Sequence, residues 1–344
     1  MIGYAWFFIL AGCAPTLDPF AGPSPFQLGQ ERSLGPDAAA QAEAPDAAWS
    51  GEDFLVVWSG RRVGGLDLFA ARVSPQGDPI GGIPSISSAP GDQTRPSVVW
   101  CGDQFFVAWE DRRSGVNKIF GTWIGARGEV LQPNGFAIAG SRYPQSAPRA
   151  VWTGRDVFVV WTEEIGGGSG LDLYGTAVQP GVTATALQGT PIVAAPADQF
   201  EPALAWGPAG GLIAWIDHRS GAGEEGTDVH AALLNGDGQR RSPADLTVPA
   251  AGAQRLPTAA WDGRQFVLFW TDRREGGDLI YGGRITDKGR LLDPSGIPIT
   301  RGPTRAGPPL LVGLLPSGLA ALWTEIGQDQ HLVVGRIWDE GFEP

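Results

Sequence analysis

The chain has 344 residues, a formal net charge of −12 and a hydrophobic content of 42%. An acidic surface repels phosphate backbones, so this charge argues against nucleic acid as a partner. The counts of 51 glycines and 29 prolines are high, but the hydrophobic content and the recurring aromatic residues argue for an ordered, turn-rich β protein over a disordered chain.

Residues 1–13 have the pattern of a secretion signal. The apolar run from Ile2 to Leu10 is too short to span a bilayer, and it leads into Leu-Ala-Gly-Cys13. This ending is similar to the lipobox of bacterial lipoproteins, which implies that Cys13 carries a lipid. No Lys or Arg precedes the apolar run. The alternatives to a lipoprotein signal are therefore a leader that ordinary signal peptidase removes and a true start that lies upstream. We expect a lipid-anchored protein of the cell envelope or periplasm, with no other membrane contact, or else a secreted one.

From Pro45 onward the chain repeats one pattern six times. A tryptophan recurs at intervals of 51 to 55 residues, at Trp58, Trp109, Trp161, Trp215, Trp270 and Trp323. In the first five copies another tryptophan stands nine residues earlier, and a proline stands four residues before that one. A period of about 50 residues is typical of propellers and other repeat arrays. We therefore expect one domain over residues 45–344.

Each copy divides into four short strand segments separated by turn signals, as in a propeller blade. A glycine two residues past the first tryptophan predicts a tight turn with positive φ, at Gly51, Gly102, Gly154 and Gly263. The second strand, such as Phe266 to Trp270, is apolar without interruption, which predicts burial on both faces. The sequence thus predicts an all-β fold, a six-bladed β-propeller of four-stranded antiparallel blades.

The sixth copy stops before its fourth strand, whose expected position lies beyond Pro344. A sheet array left open at this point would expose an unpaired edge. Residues 14–44 have the composition of a tether, but Phe26 to Gly35 precedes Pro45 at the spacing of a fourth strand. We expect this N-terminal segment to close the last blade.

Charged residues follow the second strand in most copies, for example Glu110 to Arg113 and Asp272 to Arg274. In an antiparallel meander these connections emerge at one end of each blade, so the charges share a rim. They form either a charged binding face or Asp–Arg pairs that fix the loops. Because the same chemistry recurs from copy to copy, pairing is the simpler interpretation.

The loop between the second and third strands is longer in copies three and four than elsewhere. Loops that depart from a repeat are places where function is added, although exposed glycine-rich insertions are also tolerated without a role. The two loops hold our candidate ligand-binding residues: Glu163, Glu164, Asp217, His218, Arg219, Glu224 and Glu225. Such an acidic cluster suits a cation or a basic ligand. We expect no cofactor unless calcium binds there; Asn235-Gly-Asp-Gly238 has calcium-loop character, but its equivalents are plain hairpin turns.

The stretch from Trp261 to Arg274, together with Leu171-Asp-Leu-Tyr174, resembles the repeats of bacterial secreted and lipoprotein six-bladed propellers. The likeness covers Pro45 to the C-terminus and extends distantly to TolB-type and sialidase-type propellers. The first type implies a binding protein and the second a glycosidase. The chain lacks the Ser-x-Asp-x-Gly-x-Thr-Trp box of sialidases, so no catalytic residue carries over.

No other catalytic pattern stands out, since the three histidines lack metal-ligand spacing and no nucleophile elbow is present. We expect a monomeric binding or scaffolding protein that takes a protein or glycan partner on its charged loop face. The alternative is an extracellular glycoside hydrolase, sialidase-like, or another hydrolase. A hydrolase needs carboxylates that converge within about 10 Å, whereas a scaffold does not.

Overall fold

The computed structural model describes residues 42–82, 84–165, 170–183, 189–219, 226–241, 245–248, 252–300, 305–307, 309–313, 319–326 and 331–338. The protein is all-β, and in these residues 25 strands form six antiparallel sheets, one for each copy of the repeat. Cys13 and the segment Phe26 to Gly35 lie outside the described residues, so lipidation and closure of the last blade stay predictions.

In copies one to five the strands follow one another across each sheet in chain order. The first strands are β1 (Ala42–Trp49), β6 (Gln93–Trp100), β10 (Gln145–Trp152), β14 (Gln199–Gly207) and β18 (Gln254–Trp261). The second strands are β2 (Phe54–Arg62), β7 (Gln104–Asp111), β11 (Val157–Ile165), β15 (Gly210–Asp217) and β19 (Phe266–Asp272). The third strands are β3 (Gly65–Val73), β8 (Lys118–Gly125), β12 (Gly170–Val178), β16 (Asp228–Leu234) and β20 (Leu279–Ile285).

The fourth strands are shorter: β4 (Pro79–Ile80) with β5 (Ser85–Ser87), β9 (Phe136–Ala137), β13 (Thr190–Val193), β17 (Leu246–Thr247) and β21 (Ile297–Pro298). The sixth sheet contains β22 (Arg305–Ala306), β23 (Leu310–Gly313), β24 (Leu319–Ile326) and β25 (His331–Trp338). Here β22 and β23 both pair with β24, as two pieces of one first strand, and β25 pairs with β24 as the third strand.

The chain forms two compact units. Of the described residues, the first unit contains those within 42–165 and 174–191, and the second those within 170–173 and 192–338. In the first unit, apolar clusters join sheet one to sheet two and sheet two to sheet three. In the second, they join sheet four to sheet five and sheet five to sheet six. Within each unit, successive sheets therefore pack face to face.

The second strands form the centre of this packing, as their apolar runs predict. Both β15 and β19 are buried along their whole length. Their tryptophans Trp215 and Trp270 are 0% exposed, as are Trp109 and Trp161 in the equivalent positions. Truncating a core tryptophan to alanine costs about 4 kcal/mol, so these side chains carry much of the stability of each sheet.

The predicted glycine turns are confirmed between the first and second strands. Gly51, Gly102, Gly154 and Gly263 have φ between 94° and 100°. At this φ a Cβ crowds the backbone of its own residue, and this strain explains why glycine recurs at this point of the repeat.

A β-bulge at the proline of each first strand is a feature that the sequence pattern did not reveal. The residue before the proline has a left-handed φ of 47° to 52° in five copies: Ala44, Arg95, Ala147, Glu201 and Leu256. The pairing register shifts at the same point in all five. Because a bulge leaves residues out of the ladder, the proline, which has no N–H to donate, fits there without losing a hydrogen bond.

Candidate functional site

An internal hydrogen-bond motif occupies the charged segment after the second strand in copies two, four and five. In copy five, Asp272 Oδ2 accepts a hydrogen bond of 2.9 Å from the indole Nε1 of Trp270. Arg274 donates to the same carboxylate from its backbone N, Nε and Nη2, at 2.9, 2.9 and 2.6 Å. Equivalent bonds join Trp109, Asp111 and Arg113 in copy two, and Trp215, Asp217 and Arg219 in copy four.

The aspartates of this motif are held inside the protein. Asp111, Asp217 and Asp272 are 0% exposed. Burial acts to raise the pKa of Asp217 and of Asp272, but hydrogen bonds from the arginine and the tryptophan outweigh it and hold each pKa below the usual 3.8. In copies two and five the guanidinium also lies over the third-strand ring, 4.0 Å from Phe120 and 4.2 Å from Tyr281.

Copy three has a glutamate in the same position. Glu163 is 3% exposed. Its Oε2 accepts hydrogen bonds from Trp161 Nε1 at 2.9 Å and from Gln145 Nε2 at 3.0 Å, and its Oε1 accepts one from the hydroxyl of Ser141. Glu163 therefore does for copy three what the aspartate does for the other copies.

Three of the seven residues predicted as a ligand-binding cluster are thus bound to neighbours within the fold. Glu163 and Asp217 are the buried acceptors just described. Arg219 joins two carboxylates, with Nη2 at 2.7 Å from Asp217 Oδ2 and 2.5 Å from Asp245 Oδ2. A ligand would have to displace these contacts before it could use the groups.

The other four members of the cluster are not buried acceptors of this kind or lie outside the described residues. Glu164 is exposed, and its backbone N–H bonds to the carbonyl of Pro144 at 3.0 Å. Glu224 and Glu225 lie outside the described residues. The side chain of His218 is 25% exposed. Ligand binding by the cluster stays a prediction.

His218 belongs to a group of titratable side chains in the second unit that the sequence alone did not assemble. Its Nδ1 lies 3.7 Å from Asp198 Oδ2, and its backbone N–H bonds to the carbonyl of Asp198 at 3.0 Å. Asp198 Oδ1 also accepts a hydrogen bond of 2.9 Å from the N–H of Leu171. Burial, followed by the charge of Asp198, raises the pKa of the next residue, Asp172. Asp198 therefore lies between a histidine on one side and Asp172, a carboxyl group with a raised pKa, on the other.

The first unit contains the same backbone arrangement with different chemistry. Asp92 accepts a bond of 3.0 Å from the N–H of Leu66, and its carbonyl accepts one of 2.9 Å from Arg112. Burial raises the pKa of Asp67, which corresponds to Asp172, but the guanidinium of Arg62, 3.8 Å away, acts to lower it. In both units this aspartate holds two segments of backbone together. In the second unit the aspartate is Asp198, and its charge also acts on Asp172.

Buried glutamines at the start of the first strands are a further set that sequence reasoning missed. Gln254 Oε1 accepts a hydrogen bond of 2.6 Å from Val229 N, and its Nε2 donates to Asp272 Oδ2 at 3.2 Å. Gln145 likewise accepts one from Ile119 N at 3.1 Å. The signal was present in the sequence, because a glutamine stands three residues before the proline in copies two to five: Gln93, Gln145, Gln199 and Gln254, all 0% exposed.

In the described part of the chain, no three His, Cys, Asp or Glu side chains group as a metal site, and no helix could cross a membrane. At the calcium-like turn, Asn235 Oδ1 accepts backbone hydrogen bonds from Asp237 and Gln239 at 3.0 and 2.9 Å. These bonds are those of a capped hairpin turn. Calcium binding stays a prediction.

No protein-family model and no curated protein matches the chain. Among solved structures, a subtype N10 neuraminidase-like protein of A/little yellow-shouldered bat/Guatemala/060/2010 has a TM-score of 0.56 at 9% identity, over 89% of this chain and 95% of that one. A Trypanosoma rangeli sialidase in complex with the inhibitor DANA has a TM-score of 0.53 at 12% identity, over 91% of this chain and 57% of that one. A puromycin hydrolase has a TM-score of 0.57 at 19% identity, over 88% of this chain and 46% of that one.

At these identities the likeness shows the fold, so the chain is a β-propeller of four-stranded antiparallel sheets. The resemblance to sialidase-type propellers is thereby confirmed for the backbone. The resemblances to bacterial lipoprotein repeats and to TolB-type propellers stay predictions.

Proposed function

We propose that the protein is a six-bladed β-propeller that hydrolyses glycosidic bonds, with Asp172 and Asp198 as its reacting carboxylates. The observation that carries the proposal is the raised pKa of Asp172 next to Asp198. Glycosidases use a pair of carboxyl groups, one of which has a raised pKa and serves as the general acid. Both belong to the copies whose second-to-third loops are enlarged, and the fold is shared with a sialidase.

In this mechanism Asp172 is the general acid. Its protonated carboxyl donates a proton to the glycosidic oxygen as the bond to the anomeric carbon breaks. Asp198, whose side chain is 40% exposed and accepts a backbone hydrogen bond, is the partner carboxylate. It either attacks the anomeric carbon or takes a proton from the attacking water. His218 is a positioning residue that holds Asp198 through its backbone N–H.

The experiment is hydrolysis of a panel of chromogenic glycosides by the wild type and by three single variants. Asp172→Asn and Asp198→Asn should each lower kcat by about 100-fold or more, the usual contribution of a positioned acid or base. Asp67→Asn is the matched control, because Asp67 holds the corresponding position in copy one beside Arg62. Absence of hydrolysis across the panel, or equal losses in Asp172→Asn and the Asp67→Asn control, would reject the proposal.

A binding or scaffolding role is the second candidate, and the exposed arginines of the first unit favour it. The side chains of Arg62 and Arg95 are each 56% exposed while they pair with Asp67 and Glu110 at 3.8 and 3.6 Å. Partly exposed charges of this kind steer and orient partners. A glycan array probed with wild type and an Arg62→Gln/Arg95→Gln variant tests this role; equal signals from both proteins count against it.

Cell-envelope location and ring closure are part of the proposal. A lipid on Cys13 would be seen as a mass increase on the mature N-terminal peptide that Cys13→Ala abolishes. Deletion of residues 22–36 should lower the melting temperature by several degrees, because the last sheet would lose its fourth strand. An unmodified mature peptide contradicts the anchor, and an unchanged melting temperature contradicts the closure.

A further inference from the structure

Copy four departs from the repeat at two positions that touch each other. The third-strand aromatic of copies one, two, three and five, which is Phe69, Phe120, Tyr174 or Tyr281, is replaced by His230. The glycine directly before the fourth strand, Gly135, Gly189 or Gly296, is replaced by Asp245. In copies two, three and five a Cβ at this glycine would press against the second-strand tryptophan, for example at 2.8 Å from Trp270 for Gly296. The carboxylate of Asp245 lies 3.8 Å from His230 Nδ1.

These replacements redirect the arginine of the copy-four motif. Arg219 bonds to Asp245 at 2.5 Å and lies 3.4 Å from His230 Nδ1, whereas its equivalents lie over an aromatic ring. Arg240 also donates to Asp245. Burial lowers the pKa of His230, so the ring is neutral at physiological pH. The charge of Asp245 is therefore balanced by two guanidinium groups and not by the histidine.

Asp245 also lines a surface cavity of about 270 Å³ at the outer strands of copies four and five. Leu233 and Leu246 form apolar walls, and Arg241 and Lys288 supply two positive charges. Arg241 Nη1 donates at 2.7 Å to the carbonyl of Asp287, the residue before Lys288. This bond keeps the two cations on the wall of the same cavity, although like charges repel.

We propose that this cavity binds a small oxyanion, either the carboxylate of a sugar acid or free phosphate, between Arg241 and Lys288. The carboxylate on the wall is already bonded to Arg219 and Arg240, so the groups left to meet a ligand are cationic. In a chain of formal charge −12, Arg241 and Lys288 share a cavity wall on which the described carboxylate, Asp245, already pairs with other arginines, and two such cations attract anions. The apolar walls suit the ring face of a sugar, and the volume fits a monosaccharide.

Calorimetric titration of the full chain with glucuronate and with inorganic phosphate tests the site. Arg241→Gln and Lys288→Gln should each weaken binding about tenfold, since a hydrogen bond to a charged group contributes at least that factor. Arg290→Gln is the control, because it removes a positive charge from the same hairpin outside the cavity lining. Binding of glucuronate alone identifies a sugar acid as the ligand, and binding of phosphate identifies a free anion.

The proposal is overturned if neither anion binds the wild type, or if Arg290→Gln weakens binding as much as Lys288→Gln does. The latter result would mean a general charge effect without a site. Circular dichroism of each variant establishes that the fold is intact. The calorimetric titration measures binding alone, so its outcome does not depend on glycoside hydrolysis.

Discussion

The indole Nε1 of Trp161 donates to Glu163 Oε2 at 2.9 Å, the same length as the bond from Trp270 to Asp272 Oδ2. The longer side chain of Glu163 thus reaches the indole as Asp272 does. In copy three Ile165 stands where Arg274 stands in copy five, so no arginine bonds to Glu163 from that position. Gln145 and Ser141 supply the remaining donors to Glu163. In copies two to five a carboxylate accepts from the buried indole, and the other donors to that carboxylate vary from copy to copy.

Asp272→Asn should destabilise the protein strongly. The change leaves the guanidinium of Arg274 without its charge partner. It also points the side-chain amide of the new asparagine at the donors of Trp270 and Gln254. Breaking one side of a buried pair lowers the free energy of unfolding by about 3 kcal/mol, measured by urea titration. Asp103→Asn, at an exposed turn, is the control and should change it by less than about 0.5 kcal/mol. Equal effects of the two changes would show that the motif is not stabilising.

Acid should remove the stability that these motifs supply. Asp217 and Asp272 have folded-state pKa values below the usual 3.8, so their contribution is complete above the unfolded pKa and is lost as the pH falls through the folded values. Urea midpoints measured from about pH 6 down to about pH 3 should fall steeply below about pH 4. The Asp217→Asn/Asp272→Asn variant should be less stable throughout and show a flatter decline. Parallel curves would contradict this linkage.

Asp172→Asn should leave the fold intact or stabilise it near neutral pH. Because the pKa of Asp172 is raised, ionisation costs stability as the pH rises through the folded value, and this cost is absent below the unfolded value of about 4. An amide in the same place avoids repulsion from Asp198. Thermal melts of the wild type and the variant near neutral pH and below about pH 4 check this. A large loss of stability at neutral pH would show that Asp172 is a structural carboxylate like Asp272.

The two kinds of glycine in the repeat should respond differently to substitution. At Gly102, φ is +96° and a Cβ would meet open space, so alanine costs only the backbone strain of about 1 kcal/mol. At Gly135, φ is +61° and a Cβ would collide with the ring of Trp109 and lie 2.6 Å from the Gly121 carbonyl oxygen. Gly135→Ala should therefore cost about 3 kcal/mol in urea unfolding. A smaller loss than for Gly102→Ala would contradict the close approach.

Cys101 should be unreactive in the folded protein. It is 6% exposed, and burial, followed by the charge of Asp103, raises the pKa of its thiol to about 12. In the Cys13→Ala background, Ellman's reagent at about pH 8 should label Cys101 only after denaturation. Rapid labelling of the native protein would show that this part of the second sheet opens readily.

The sequence by itself determined the repeat and the burial of its strands. The tryptophan period, the glycine turns and the apolar second strands are local patterns, because each depends on which residues one short segment must bury or bend. They predicted Trp215 in the core and a positive φ at Gly154, and both are confirmed. The same patterns favoured Asp–Arg pairs after the second strands, but they did not show that Asp217 is buried and bonds to its own tryptophan.

Only the tertiary structure decided which carboxylates come together. Asp172, Asp198 and His218 lie far apart in the chain, and Asp245 reaches His230 and Arg219 only because the short fourth strand folds back onto the third. The sequence placed its candidate site in the longest loops, where charge is densest. The structure instead favours residues at the strand ends beside those loops, because strands hold Asp172 in a buried position close to the charge of Asp198, and both effects raise its pKa.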